Sequence, residues 1–290
     1  MAQLIYYFLK LISYLPFWVL YAIADLLFFL NFYLIGYRKK LVMDNLNIAF
    51  PEKTKKEKEK ISQKFFRQFS DFIVESIKNF SMKEEEYQKR YQFENLEEIR
   101  DHILKTNKGA VITASHQFNW EWMIYVAVPI PENIQAFISY TPLSNKMLDK
   151  LIRKNRERFG LKLASARSFI KTLEHNYKNT NKLTVSGLIS DQSPRANYKF
   201  RTDFFGVNVP VYTGPESIAK KLDQSFWFLW VEKPKRGHYK VRFDYITDDT
   251  NQYETGELTK IFIQKTEELI RFQPENYLWS HRRWKHRREE

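Results

Sequence analysis

Two side chains in the stretch Ala114–Glu121, "ASHQFNWE", could do acid–base chemistry together: His116 and, five positions on, Glu121. A carboxylate beside an imidazole fixes its tautomer and stabilises the imidazolium formed when the ring takes a proton. Such a pair could deprotonate a substrate hydroxyl with no enzyme nucleophile. In a continuous helix, residues five apart diverge by well over a quarter turn, so a working pair needs His116 in a turn and Glu121 in the helix after it. The flanking sequence supplies that arrangement: "GAVITA" reads as a buried strand and Asn119 as the N-cap of the helix carrying Glu121. The exit of a strand into a helix is where α/β sheets bind ligands. Spacing alone is weak evidence, because a single His/Glu pair is more often a satisfied core histidine beside a surface glutamate.

The remaining chemistry is narrow. With no cysteine, disulfides, thiolate zinc sites and a Cys nucleophile are excluded, and no HxxxH or HExxH pattern suggests a metal. His102 and His175 lie in helix-like charged contexts, His238 opens a strand, and His281 and His286 fall in a basic tail. A net charge of +13 favours an anionic partner such as nucleic acid, anionic lipid or an acidic protein. The aromatic content of 17% suits a boundary between apolar and wet regions.

The elements that would hold the pair alternate. Strands are expected over 109–114, 134–140, 183–189, 226–232 and 239–245, and helices over 119–128, 144–159, 168–177, 214–222 and 257–272. That order predicts an α/β domain, a mixed central sheet flanked by helices. Residues 51–60, "PEKTKKEKEK", read as a solvated turn before an amphipathic helix. Upstream, residues 11–34 contain no Lys or Arg and are long enough to cross a bilayer, with Pro16 and Asp25 as blemishes. A cleaved signal peptide fits poorly, since no small-residue cleavage site follows. Arg38, Lys39 and Lys40 come directly after the run, whereas Lys10 alone precedes it, which places the main domain on the cytoplasmic side. A shallow interfacial helix also suits Tyr6, Tyr7, Trp18, Tyr21 and Tyr33. The expected division is a membrane-anchor segment over 1–40 and one domain over 41–290.

"GAVITASHQFNWEW" resembles the H-x4-D/E block of the bacterial lipid A biosynthesis acyltransferases, the late lauroyl and myristoyl transferases within the wider glycerolipid acyltransferase group. Three further blocks follow in the same order: "SYTPLSNKMLDKLIRKNRERFG", "ISDQSPRANYKFRTDFFG" and "QPENYLWSHRRWK". The resemblance implies a glycerol-3-phosphate acyltransferase-like fold and a cell inner-membrane location. It implies transfer of a fatty acyl chain from acyl carrier protein or acyl-coenzyme A to a hydroxyl of a phosphorylated glycolipid, with no cofactor. On that likeness His116 is the general base, Glu121 its acidic partner and Arg156 the group that steadies the thioester oxyanion. Spacing does not separate Arg156 from Arg153 and Arg158 on the same helix. Asp191 and Gln192 match a "DQ" pair, and the residues themselves read as strand-end groups that position a loop. Thr141 stands where the family usually has arginine, which opens the identity of the acceptor: a lysophospholipid, an aminolipid or another glycolipid would fit.

In the tail, Arg282 and Arg283 would bind phosphate, with Trp279 and Trp284 at a lipid interface. Nucleic acid is the competing reading of a basic aromatic run, and it loses to the membrane segment on the same chain. A non-catalytic membrane tether with a basic face is the alternative from another class.

Overall fold

The computed structural model describes residues 2–117 and 119–288; Phe118, within the His116 block, lies outside them. Its first feature is a break in the apolar run. Helix α1 (Ala2–Ser13) stops and α2 (Phe17–Phe29) starts immediately after Pro16, so the expected continuous helix over 11–34 is two helices. Proline lacks the N–H an incoming helix would use and forces the preceding residue away from helical angles. A π-helical turn (Leu30–Ile35) then extends α2 until Gly36 ends it at φ +66°. Together Phe17–Ile35 is one helix of 19 residues, apolar and long enough to cross a membrane. Leu20, Ala24 and Phe28 form its buried stripe, with Leu20 and Ala24 against Val74, whereas Trp18, Leu26, Leu34 and Ile35 are exposed.

Helices α3 (Lys39–Ala49) and α4 (Lys55–Lys78) follow. Of the charged stretch expected as a turn, residues 51–54 are one, but 55–60 already form the first turn and a half of α4. Thr54 and Glu57 close a reciprocal capping box, which starts the helix well before its apolar period begins. Next come α5 (Glu84–Arg90), β1 (Tyr91–Phe93), α6 (Leu96–Thr106) and β2 (Ala110–Ala114), all five of whose residues are buried. A 3-10 helix (Trp120–Ala127) leads to β3 (Ile134–Tyr140), α7 (Lys146–Arg156), β4 (Lys162–Ser165), α8 (Phe169–Thr180) and β5 (Leu183–Ile189). After the two-stranded ribbon β6 (Arg201–Phe204) and β7 (Val207–Pro210), the chain ends through α9 (Gly214–Lys221), β8 (Ser225–Lys235), β9 (His238–Thr247) and α10 (Glu257–Phe272).

Seven strands form one mixed sheet in the order β1-β9-β8-β2-β5-β3-β4. Strands β8, β2, β5, β3 and β4 are mutually parallel, β9 is antiparallel to β8, and β1 parallel to β9. The α/β class with a helix-flanked mixed sheet is therefore as the sequence predicts. Register fixes the site: β2 and β5 are adjacent, and their last residues, Ala114 and Ile189, are partners. Both chains leave the sheet at the same level, with the Ser190 amide still donating to the Ala114 carbonyl at 3.3 Å. Two residues beyond each strand end stand His116 and Asp191.

The C-terminal block is structural. Trp279 and Trp284 stack nearly parallel (6.4 Å, 8°) in a core with Phe204, Phe205 and Phe50, beneath the β6/β7 ribbon. Tyr277 bridges to Gln117 and the Leu278 amide donates to the His116 carbonyl at 3.2 Å, so this segment flanks the loop that carries the histidine.

Candidate active site

The carboxylate that meets the imidazole is Asp191, with Oδ1 2.6 Å from His116 Nδ1. The His116 backbone amide donates to the other oxygen, Oδ2, at 3.2 Å. Asp191 is buried, which alone would raise its pKa, but the electrostatic pull of the adjacent His116 ring, those two hydrogen bonds and the Arg283 guanidinium hold it below the ordinary carboxylate range. An ionised Asp191 makes Nδ1 the protonated nitrogen and leaves the Nε2 lone pair facing outward. Gln192 sits there, its amide nitrogen 3.1 Å from Nε2, and the edge of Trp120 abuts the ring with centroids 5.1 Å apart.

Glu121 is therefore not the group on His116 Nδ1. It grips Arg156 instead, with Oε1 2.7 Å from Nη2 and Oε2 3.3 Å from Nε, a bidentate pair. The difference from expectation is geometric. The segment after Asn119 is a 3-10 helix, and Glu121 lies in its first turn, with its amide bonded to Asn119 Oδ1 at 2.9 Å. Asn119 is the N-cap that the sequence predicts.

The three arginines that spacing could not separate go different ways. Arg156 closes α7, whose start is capped by Asn145 on the Met147 and Leu148 amides. Arg158 donates to the Tyr87 hydroxyl at 2.7 Å and lies 4.5 Å over Phe159, a packing position. Arg153 pairs with Glu157 and lies 5.7 Å over Tyr140. Among them only Arg156 lines the cleft with His116.

That cleft holds about 220 Å³. Its polar wall is His116, Trp120, Glu121, Ser139 and Arg156, and its floor is Met123, Ile124, Ile138, Leu163, Gly187 and Ile189. Below it a hollow of about 30 Å³ shares Met123, Ile138 and Gly187, and a third of about 20 Å³ shares Ile112, Val126, Val185 and Phe243 with the second. The three form a row across one face of the sheet. A larger cavity of about 320 Å³, lined by Lys108 and Gln224, lies at the opposite ends of β2 and β5, and a groove of about 630 Å³ runs beside Arg195 and Tyr212. Neither has a histidine in its wall, so size is the wrong guide to the chemistry here.

The tail reads differently from expectation. Trp279 and Arg283 are fully buried and Trp284 nearly so, which removes them from any phosphate-binding or lipid-facing surface; Arg282 is exposed. The aromatic pair fills a core gap under the ribbon. Arg283 donates to the Pro210 carbonyl at 3.3 Å, lies 4.9 Å over Phe204, and supplies positive charge behind Asp191. Nothing in the local pattern marks His281, whose Nε2 accepts the Ser193 amide at 3.2 Å. Burial first, then the charges of His116, Arg283 and Arg38, push its pKa down to about 4 against the pull of Asp191. Thr141 is exposed just past β3.

The family model of bacterial lipid A biosynthesis acyltransferases matches residues 1–286. The chain belongs to that family. A comparison with curated proteins finds no match. In this lipid A biosynthesis acyltransferase the C-terminal segment is thus inside the family match and inside the core, and every element contributing to the cleft falls within the same span.

Proposed function

We propose that this acyltransferase moves a fatty acyl chain from a thioester, on acyl carrier protein or coenzyme A, to a hydroxyl of a lipid A precursor. The observation that carries the reading is the imidazole held at Nδ1 by buried Asp191, in one cleft with the Glu121–Arg156 pair and an apolar floor. In the reaction, the acceptor hydroxyl displaces Gln192 from Nε2 and gives its proton to that nitrogen as its oxygen attacks the thioester carbonyl carbon. Arg156, fixed by Glu121, faces the oxyanion of the tetrahedral intermediate. Collapse breaks the carbon–sulfur bond, and the thiolate leaves with the proton from the imidazolium. Asp191 takes the orienting role that the resemblance gives to Glu121, and Glu121 acts through Arg156.

The row of hollows supports a path for the acyl chain. Each of the two deeper ones has about the volume of a single water molecule, so a chain enters by moving side chains. Met123, which is flexible and lines the first two, is suited to yield. Residues 1–40 act as the membrane anchor of the domain over 41–290, because α2 exposes Trp18, Leu26 and Phe29 on a face that the protein leaves bare. The exposed Arg282 and the half-buried Arg153 suit an acidic carrier or the acceptor's phosphates.

His116→Ala should abolish transfer to an underacylated lipid A precursor while the protein stays folded and in the membrane fraction. Turnover within tenfold of the parent would overturn the assignment. Exposed Thr141 favours testing other acceptors in parallel: transfer to a lysophospholipid, with none to the lipid A precursor, would replace the acceptor but keep the chemistry.

A further inference from the structure

Glu75 lies on the inner face of α4 with none of its surface exposed, and neither the motif blocks nor the proposed reaction uses it. Its Oε2 accepts from Asn119 Nδ2 at 3.1 Å and from the Tyr239 hydroxyl at 2.6 Å. Its Oε1 accepts from the Tyr21 hydroxyl of α2 at 3.0 Å, and Lys233 Nζ stands 3.8 Å away. The Glu75 backbone carbonyl takes the Trp122 indole N–H at 3.2 Å, and Asn79, one turn later, donates to the Glu121 carbonyl at 3.3 Å. One turn of α4 thus holds the segment 119–122 from both sides. The same cluster reaches α2 a second time, through Asp71, Arg236 and Asp25, with Arg236 Nη2 2.6 Å from Asp71 and 2.8 Å from Asp25.

A buried carboxylate among apolar helices is a poor device for stability, because desolvation offsets most of what its partners return. What it does well is fix orientation. Asn119 can offer its oxygen to the Glu121 amide and its N–H to Glu75 in one rotamer only, so the carboxylate selects the amide's facing. A 3-10 helix has weak hydrogen-bond geometry of its own, and its start therefore depends on the cap. Glu121 is the second residue of that helix and holds Arg156.

We propose that Glu75 is a positioning residue which, through Asn119 on one side and Tyr21 on the other, couples the apolar helix α2 to the placement of Glu121 and Arg156. This rests on the reading of the site given above. The consequence is that how α2 is seated affects turnover, although α2 lines no part of the cleft.

The test uses the full chain in phospholipid nanodiscs, with a C12 acyl thioester and an underacylated lipid A precursor. Asn119→Asp keeps the cap oxygen but sets two carboxylates together. Adding Glu75→Gln restores the hydrogen bond with its direction reversed, the introduced side-chain amide donating to the new aspartate. Asn119→Asp should lower kcat by roughly tenfold to a hundredfold, the range for losing a hydrogen bond to a charged group, with KM little changed. It should also speed hydrogen exchange of the amides over 120–127. The double variant should recover both to within about threefold, and Tyr21→Phe should lower kcat about threefold without touching Asn119. A double variant no better than Asn119→Asp, or an Asn119→Asp enzyme within twofold of the parent, overturns the proposal; an unchanged Tyr21→Phe overturns the coupling to α2. Recovery of exchange without transfer by any form, the parent included, would support the positioning and refute the proposed function instead.

Discussion

Asp191→Asn separates the two candidate partners of His116 more sharply than any other change. The carboxylate approaches Nδ1 to 2.6 Å and is buried, so asparagine fits the same space, removes the charge and turns one of the two accepting oxygens into a donor. Between an imidazolium and a carboxylate with charge centres about 4 Å apart, at an effective dielectric near 20, the attraction is about 4 kcal/mol. That attraction exists only after the ring takes the proton, so its loss falls on the transition state, and at 1.36 kcal/mol per decade it predicts roughly a thousandfold fall in kcat. KM should barely move. Glu121→Gln leaves Nδ1 untouched and keeps one hydrogen bond to Arg156, so roughly a tenfold loss is expected there. The assay is single-turnover acyl transfer, with the fraction of folded protein checked by thermal unfolding, because asparagine leaves Arg283 with less compensation. A reversed order, with Glu121→Gln crippled and Asp191→Asn within threefold of the parent, would refute the assignment of Asp191.

His281 should make stability pH-dependent. Its folded pKa, about 4, lies below the unfolded value near 6.5, so the unfolded chain binds the extra proton between those limits. The contribution is full above pH 6.5 and is lost on acidification until about pH 4; for this partly exposed ring it is about 1–2 kcal/mol after screening. Denaturant melts at pH 5 and 7.5 should show His281→Gln less acid-sensitive than the parent by that amount. Val126→Phe, at the wall shared by the two deeper hollows, should shorten the preferred acyl chain, each excluded methylene discriminating by about 0.8 kcal/mol or fourfold. Competition between C10 and C16 thioesters checks it, and an unchanged preference would remove the hollows from the acyl path.

Much of the fold is legible in the sequence because it follows period and punctuation. Strands 134–140 and 183–189 and helix 257–272 fall on the expected residues, since short apolar runs and a long amphipathic period leave little choice. His116, its strand exit and the Asn119 cap are legible for the same reason. The Asp191 contact is not, because it depends on which strands are neighbours and in what register, a long-range choice that local pattern does not encode. The tail misleads for a related reason. A run of arginines and tryptophans looks like surface until a two-stranded ribbon is available to cover it. Pro16 marks the split in the first helices, but the apolar composition on both sides of it favours one continuous helix.

The pairing of Tyr277 and Leu278 with the histidine loop has a consequence for synthesis. Residues 116 and 117 emerge from the ribosome long before 277–284, yet the loop lacks its backing until that late segment arrives. On the proposed mechanism a nascent chain would therefore be inert, and turnover would begin only once those closing residues had been threaded beneath the ribbon.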